Sequence, residues 1–311
     1  GGGRSRSARV GGGRRKVHGT GLRGLDGGTG TSSGRVKGAI LLAGLVSGVE
    51  VRVTEKSRSG DHTERMLRAM GADVETDGNQ VCLRPSRRLG AIEVSVPADP
   101  SSAAFFVALA SLATGGKLAL VDVCLNPTRT GFVEAMKRMG ADINETARAD
   151  SGGEEIGSLE VRPAPLHATR IAADEVPSLI DELPLLACVA AGAGVDLEIT
   201  GAAELRVKES DRISVVVQNL RAVGAEVDEL PDGLRVHGSR RELSGTIDPR
   251  GDHRIAMAFG VLSAASGNRI TVANPERGAV SDPGFWADLR RVATVRRGRA
   301  SRRPRPPAAA A

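Results

Sequence analysis

A chain of 311 residues, 40% of them hydrophobic, can bury the cores of two domains. Aromatic residues are 2%, with no Tyr and one Trp, so those cores must be built from Val, Leu, Ile and Ala, and recognition of bases by aromatic stacking is not expected. The net charge of +6 belongs to the ends: residues 1–24 and 290–311 hold fifteen of the 43 Lys and Arg and no acid, leaving 28 basic against 37 acidic residues between them, about −9, which is no argument for a nucleic-acid-binding body.

Residues 1–31 are rich in Gly, Arg and Ser and nearly free of residues to bury, so no ordered structure is expected there. They contain no apolar h-region of a signal peptide, and no apolar run in the chain reaches the length of a membrane span. Cys82, Cys124 and Cys188 lie in apolar surroundings without CxxC spacing and read as reduced core residues of a cytoplasmic protein, not ligands or a disulfide frame. The five His are scattered with no metal-ligand spacing, so no metal is expected.

From Val36 a two-part unit recurs. Its first half is a helix of small apolar residues, a Gly and a strand: Ala39–Gly48 with Val49–Thr54, Ala103–Gly116 with Lys117–Val123, Leu183–Gly194 with Val195–Thr200, and Ile255–Gly267 with Arg269–Ala273. Its second half is a polar turn and a helix with a shared ending: Met70-Gly71-Ala72-Asp73-Val74, Met139-Gly140-Ala141-Asp142-Ile143 and Val223-Gly224-Ala225-Glu226-Val227. Each fits a helix stopped by a C′ Gly and running into a strand. A fourth copy begins at Phe285–Val292 and then dissolves. Helices without charge on any face should be buried among other helices or under sheets. Units packed side by side would collect their polar turns on one edge. From Arg296 the chain is dominated by Arg, Pro and Ala and cannot form a core. Both ends break off abruptly from the repeat and read as out-of-frame translation of a GC-rich gene, which the coding DNA would settle.

The polar turns carry the candidate chemistry. If the helix after Glu204 begins near Val207, Lys208 and Arg212 share a face with Glu209 beside them, and an anion would relieve the repulsion of two cations at a helix N-terminus. Read alone, a solvated start with Lys208/Asp211 and Glu209/Arg212 as surface ion pairs is the stronger account, because such pairs are common and nearly neutral in energy. Asp181 opens the third small-residue helix, whose dipole favours its anion; a role confined to the helix is equally open. Asp252-His253-Arg254 opens the fourth, with Asp252 suited to cap it and Arg254 a second cation where the dipole disfavours one. Ser101 and Ser102 read as caps of the second small-residue helix, and Asp61 with Glu64 as a capping pair.

Together Val36-Lys37, Asp61-His62-Thr63-Glu64, Asn126-Pro127-Thr128-Arg129-Thr130-Gly131, Ile180-Asp181-Glu182, Glu204 to Arg212 and Asp252 to Met257 resemble the 5-enolpyruvylshikimate-3-phosphate synthase family, in order and at suitable spacing from about Ser33 to Val292. The resemblance implies an α/β fold, the enolpyruvyl transferase-like inverse α/β prism of repeated βαβαββ units, in two domains with the first incomplete. Residues 32–100 would be a remnant of the N-terminal prism domain and 101–292 the C-terminal one, hinged near Asp99 to Ala103, with residues 1–31 and 293–311 outside the fold. It further implies transfer of the enolpyruvyl group of phosphoenolpyruvate to the 5-hydroxyl of shikimate 3-phosphate by addition and elimination, without metal or organic cofactor, in a cytoplasmic monomer. By the same resemblance Asp181 would accept the hydroxyl proton and Glu209 donate a proton to the enolpyruvyl carbon. Lys208 and Ser33 would hold shikimate 3-phosphate, and Arg212 and Arg254 phosphoenolpyruvate.

Several positions depart from the family's pattern. Arg35 stands where the family has a substrate-stacking Gln, Gly34 at a small-residue binding position, Gly60 where many members have Arg, and Val280 where many have Lys. The Lys-Ser and Arg near the family's N-terminus, and its Gly-Thr loop and Arg, have no match, so little or no synthase activity is expected of this chain alone. An enolpyruvyl transferase acting on UDP-N-acetylglucosamine shares the fold, but the Arg206–Arg212 run and the lack of a Cys in a Gly-rich loop argue against it. A catalytically dead fragment, binding nucleic acid through its basic tails, is the alternative of a different class.

Overall fold

The structure, a computed structural model, describes residues 25–28, 33–85, 88–265, 267–275 and 281–293. Leu25–Gly28 lie inside the stretch expected to carry no structure, yet they form a strand, β1, parallel to the next one. A ladder needs only backbone donors and acceptors, so Gly there is no bar to pairing. The rest of residues 1–31, residues 294–311 and Val280 lie outside the described residues.

The first unit continues with α1 (Gly34–Ser47), β2 (Val51–Thr54), α2 (His62–Ala69), β3 (Val74–Asp77) and β4 (Gln80–Leu83), in a sheet of order β1-β2-β4-β3. The second is α3 (Pro100–Ser111), β5 (Leu118–Cys124), α4 (Gly131–Arg138), β6 (Asp142–Ser151) and β7 (Glu154–Arg162), with Ala98 bridging parallel to Val123 in the place of a first strand. The third is β8 (Thr169–Ile171), α5 (Leu183–Ala193), β9 (Leu197–Ile199), α6 (Arg212–Ala222), β10 (Glu226–Leu230) and β11 (Gly233–His237). The fourth supplies β12 (Ser244–Ile247), α7 (His253–Ala264), β13 (Arg269–Val272) and α8 (Phe285–Val292).

One pairing scheme runs through the units. The first strand lies parallel to the second, as in β1 with β2, β8 with β9 and β12 with β13. The fourth strand runs antiparallel between the second and the third, as β4, β7 and β11 do. This is the βαβαββ unit. The periodic pattern finds its helices and the strands after them, but not β4, β7 and β11, which follow a turn instead of a helix.

The shared helix ending is a Schellman motif, built three times. Gly71 N–H donates to Arg68 O and Ala72 N–H to Leu67 O; the same two bonds recur from Gly140 and Ala141 to Lys137 and Met136, and from Gly224 and Ala225 to Arg221 and Leu220. The three Gly have φ of 87°, 95° and 97°. An Arg one turn back then pins the outgoing strand in two copies, Arg68 Nε donating to Val74 O at 2.8 Å and Arg221 Nε to Val227 O at 2.9 Å.

Buried hydrophobic residues form two separate clusters. One lies within the first unit, around Leu41, Val53, Leu67 and Leu83; the other joins α3, α5 and α7 with the sheets of the later units. Nine of the eleven residues of α5 are buried, as a helix without a polar face requires. No helix among the described residues is long and apolar enough to cross a membrane.

At Gly224 a Cβ would meet nothing within 4 Å, so Gly224→Ala isolates the backbone cost of the left-handed residue and should lower the unfolding free energy by about 1–2 kcal/mol in urea titration. At Gly140 a Cβ would also lie 2.9 Å from His167 Cδ2 and 3.1 Å from Pro165 O, so Gly140→Ala should cost more than Gly224→Ala.

Candidate active site

The polar helix starts do collect on one edge, around an open cavity of about 1420 Å³. Ser33, Asp181, Lys208, Glu209 and Arg254 all line it, together with Lys56, His62, Arg129 and His253. Ser33 is the N-cap of α1, its Oγ accepting from Val36 N–H at 3.4 Å. Asp181 sits in a 3-10 turn, Ile180–Glu182, immediately before α5.

Arg212 does not present a free cation to this cavity. It is 1% exposed, and its guanidinium donates through Nε to Asp252 Oδ2 at 2.8 Å, through Nη1 to Asp181 Oδ1 at 3.0 Å and through Nη2 to Glu209 Oε2 at 2.5 Å. Asp252 is itself fully buried; its other oxygen caps α7 by accepting from the N–H groups of Arg254 and Ile255 at 3.0 and 3.3 Å, as its position in the sequence suggests. Arg254, the second residue of α7, reaches Asp181 Oδ2 at 3.3 Å and Glu182 Oε1 at 3.4 Å. Asp181 therefore lies between two guanidinium groups, one beneath it and one beside it. Burial pushes its carboxyl up, but Arg254 and Arg212 outweigh that and hold it below the usual aspartate range. Burial pushes Glu182 up, against Ser101, Arg254 and Arg129. Burial and the neighbouring Arg254 hold His253 below the usual imidazole range, so it is neutral at pH 7.

The local structure around Arg212 corrects the reading of Lys208 and Arg212 as neighbours on one helical face. Ala203–Val207 is a 3-10 turn, Lys208 is extended, and α6 begins at Arg212. Asp211 sets that start: its Oδ1 accepts from Ser214 N–H at 3.0 Å as the cap, and its Oδ2 takes Arg206 Nη1 at 2.8 Å. Lys208, released from the helix, pairs with Glu204 at 2.5 Å, not with Asp211. Two further caps differ from expectation. Asp99, not Ser101 or Ser102, caps α3, its Oδ1 accepting from Ser101 N–H, which leaves Ser101 Oγ to accept from Arg129 Nη2 at 2.7 Å. Asp61 makes no side-chain cap bond, because Arg58, Arg65 and Asn126 take its carboxylate, and Glu64 pairs with buried Lys37 at 2.8 Å.

Arg129 and Lys56 line the cavity without having been assigned a role from the sequence. Arg129 belongs to the Asn126–Gly131 motif, which offered a signal; Lys56, one of six Lys in the chain, lies in no motif singled out there and offered none. Arg35 and Gly60 also line the cavity, so the departures from the family's pattern there fall on the site itself.

A family model described as EPSP synthase (3-phosphoshikimate 1-carboxyvinyltransferase) matches residues 12–289. The 3-phosphoshikimate 1-carboxyvinyltransferase of Persephonella marina is 45% identical over 280 residues, 89% of this chain and 65% of that protein. That of Xanthomonas euvesicatoria is 46% identical over 270 residues, 86% and 61%. The solved EPSP synthase of Acinetobacter baumannii superposes with a TM-score of 0.80 at 39% identity, covering 88% of this chain and 62% of its own. The enolpyruvyl transferase NikO of Streptomyces tendae superposes at 0.59 with 17% identity, a likeness of fold alone. The chain thus spans less than two thirds of the length of the curated relatives it matches.

Replacing Arg212 by Met leaves the buried Asp252 carboxylate without its cation and should destabilise the fold by about 3–5 kcal/mol, measured by chemical denaturation. Asp181 and Asp61 have carboxyls held below the unfolded-state value, Asp61 because its bonds to Arg65 and Asn126 outweigh burial. Their stabilisation is complete above the ordinary aspartate value and is lost as pH falls through their lowered folded-state values. The unfolding midpoint should therefore drop on acidification through that range, and Asp181→Asn with Asp61→Asn should flatten the drop.

Proposed function

The chain belongs to the EPSP synthase (3-phosphoshikimate 1-carboxyvinyltransferase) family, and we propose that its cavity binds shikimate 3-phosphate and phosphoenolpyruvate for transfer of the enolpyruvyl group to the 5-hydroxyl with release of phosphate, at a turnover that is low in this chain alone. The observation that carries this reading is Asp181 bridging Arg212 and Arg254 on a cavity that Lys208, Glu209 and Ser33 also line.

Lys208 and Ser33 take shikimate 3-phosphate, and Arg254 takes phosphoenolpyruvate. The two contacts of Arg254, at 3.3 and 3.4 Å, are long for charge-assisted bonds, so a substrate carboxylate or phosphate can replace them. That exchange acts on Asp181: an anion on Arg254 cancels much of the field that holds the carboxyl low, and its basicity rises as the substrate arrives. Asp181 then accepts the 5-hydroxyl proton while the oxygen attacks C2 of phosphoenolpyruvate, and Glu209 delivers a proton to C3. In the second step C3 returns a proton to Glu209, the C2–O bond to phosphate breaks, and the proton held by Asp181 leaves with the phosphate. Arg212 acts mainly through Asp181 and Glu209, two of the three carboxylates it holds; it reaches phosphoenolpyruvate only if one of those two moves off it. Fixed cations around the developing charge need no reorganisation during the step.

We read the two hydrophobic clusters as domains spanning 32–100 and 101–292, hinged near Asp99 to Ala103, and the protein as a cytoplasmic monomer. The function is tested by titrating the chain with shikimate 3-phosphate and phosphoenolpyruvate and following phosphate release and product. Asp181→Asn and Glu209→Gln should each slow turnover about 10²–10⁴-fold with shikimate 3-phosphate still bound, while Lys208→Ala should weaken that binding. Failure to bind shikimate 3-phosphate, or transfer to UDP-N-acetylglucosamine in its place, would defeat the proposal.

A further inference from the structure

On the cavity wall formed by α2, β5 and β7, three side chains from distant parts of the sequence converge. His62 is the first residue of α2, Cys124 the last of β5 and Glu154 the first of β7. Their ligating atoms all lie within 4.8 Å of one another, with His62 Nδ1 2.8 Å from Glu154 Oε1 and Cys124 Sγ 3.8 Å from Glu154 Oε2. In a tetrahedral zinc site, with bonds of about 2.0–2.3 Å, neighbouring ligand atoms stand about 3.3–3.8 Å apart. The 3.8 Å separation already has that spacing, and the 2.8 Å one is shorter, as a hydrogen bond is.

One neighbour, Asn126, braces two of the three side chains. Asn126 Nδ2 donates to Glu154 Oε2 at 3.0 Å, and the Asn126 backbone N–H bonds the Cys124 sulfur. Both hold a metal ligand from behind, as second partners in metal sites do. Arg65, the nearest cation, is tied to Asp61 at 2.8 Å and to Gly153 O. A thiolate and a carboxylate balance a divalent charge, and the nitrogen, sulfur and oxygen set suits a zinc-class ion better than magnesium or calcium. All three residues line the cavity, so a fourth coordination position would open into it.

We propose that His62, Cys124 and Glu154 bind one zinc-class divalent cation, with a fourth coordination position open to the cavity. Binding breaks the Cys124 S–H bond, sends the proton to solvent and forms a metal–sulfur bond, with no change of oxidation state. Because His62 belongs to the first unit and the other two ligands to the second, the ion would join the two units across their boundary. This site stands apart from the enolpyruvyl transfer reading and does not depend on it.

Cobalt(II) titrated into the reduced, full-length chain reports on the sulfur directly. The expected result is one equivalent bound, with a near-ultraviolet thiolate-to-cobalt charge-transfer band that Cys124→Ser abolishes. His62→Gln, at a half-exposed ring, should weaken zinc binding about tenfold or more, with the circular dichroism spectrum unchanged. No charge-transfer band at stoichiometric cobalt, a band that survives Cys124→Ser, or equal zinc affinity in folded His62→Gln would each overturn the site.

Discussion

One buried guanidinium organises the catalytic face. Arg212 ties together three carboxylates that arrive from three different places: Asp181 ahead of α5, Glu209 ahead of α6 and Asp252 ahead of α7. Two of those helices, α5 and α7, are apolar and buried along most of their length, so neither could bring a charge inward unless a counter-charge awaited it. A buried ion cluster adds little net stability over apolar packing, since desolvation consumes most of the Coulomb gain. Its consequence here is positional. With Arg212 held on one side by Asp252, the other two carboxylates are aimed at the cavity, where Arg254 and Lys208 complete the charge pattern.

The repeat explains how the site is assembled from a sequence in which its residues are far apart. The first three units each turn the chain through the same αL Gly and the same antiparallel third and fourth strands, so successive units present equivalent ends to one another. Polar residues that would disrupt a core are tolerated at those ends because the N-terminal turns of the helices have unpaired donors. The result is a cavity whose chemistry is drawn from loops and helix starts while the helix bodies are given over to packing. The same arrangement places His62, Cys124 and Glu154 together, from one helix start and two strand ends.

Within the cavity charged side chains are paired with one another. Asp181 and Glu209 occupy Arg212, Glu204 occupies Lys208, and Asp181 with Glu182 occupies Arg254. Anionic ligands would compete with these internal partners, so their affinity includes the cost of displacing them. The released carboxylates are the very groups proposed to move protons, which couples binding to their basicity.

Much of this was legible in the residues alone. Small-residue helices, the Met-Gly-Ala-Asp type of ending and the Gly that stops each helix are local features, governed by backbone sterics and by which side chains water will not tolerate, and they identified the helices and the strands that follow them. Asp181 and Arg254 were legible as charges at helix starts, whereas Lys208 and Glu209 read alone as members of surface ion pairs and took their roles from the family resemblance. What tertiary structure alone decided was pairing: that α6 starts at Arg212 and not near Val207, that Asp99 and not Ser101 caps α3, that Arg212 is enclosed by carboxylates, and that an apparently inert Cys124 stands beside His62 and Glu154. A side chain's partner depends on distances across units tens of residues apart, and one-dimensional periodicity carries no information about those.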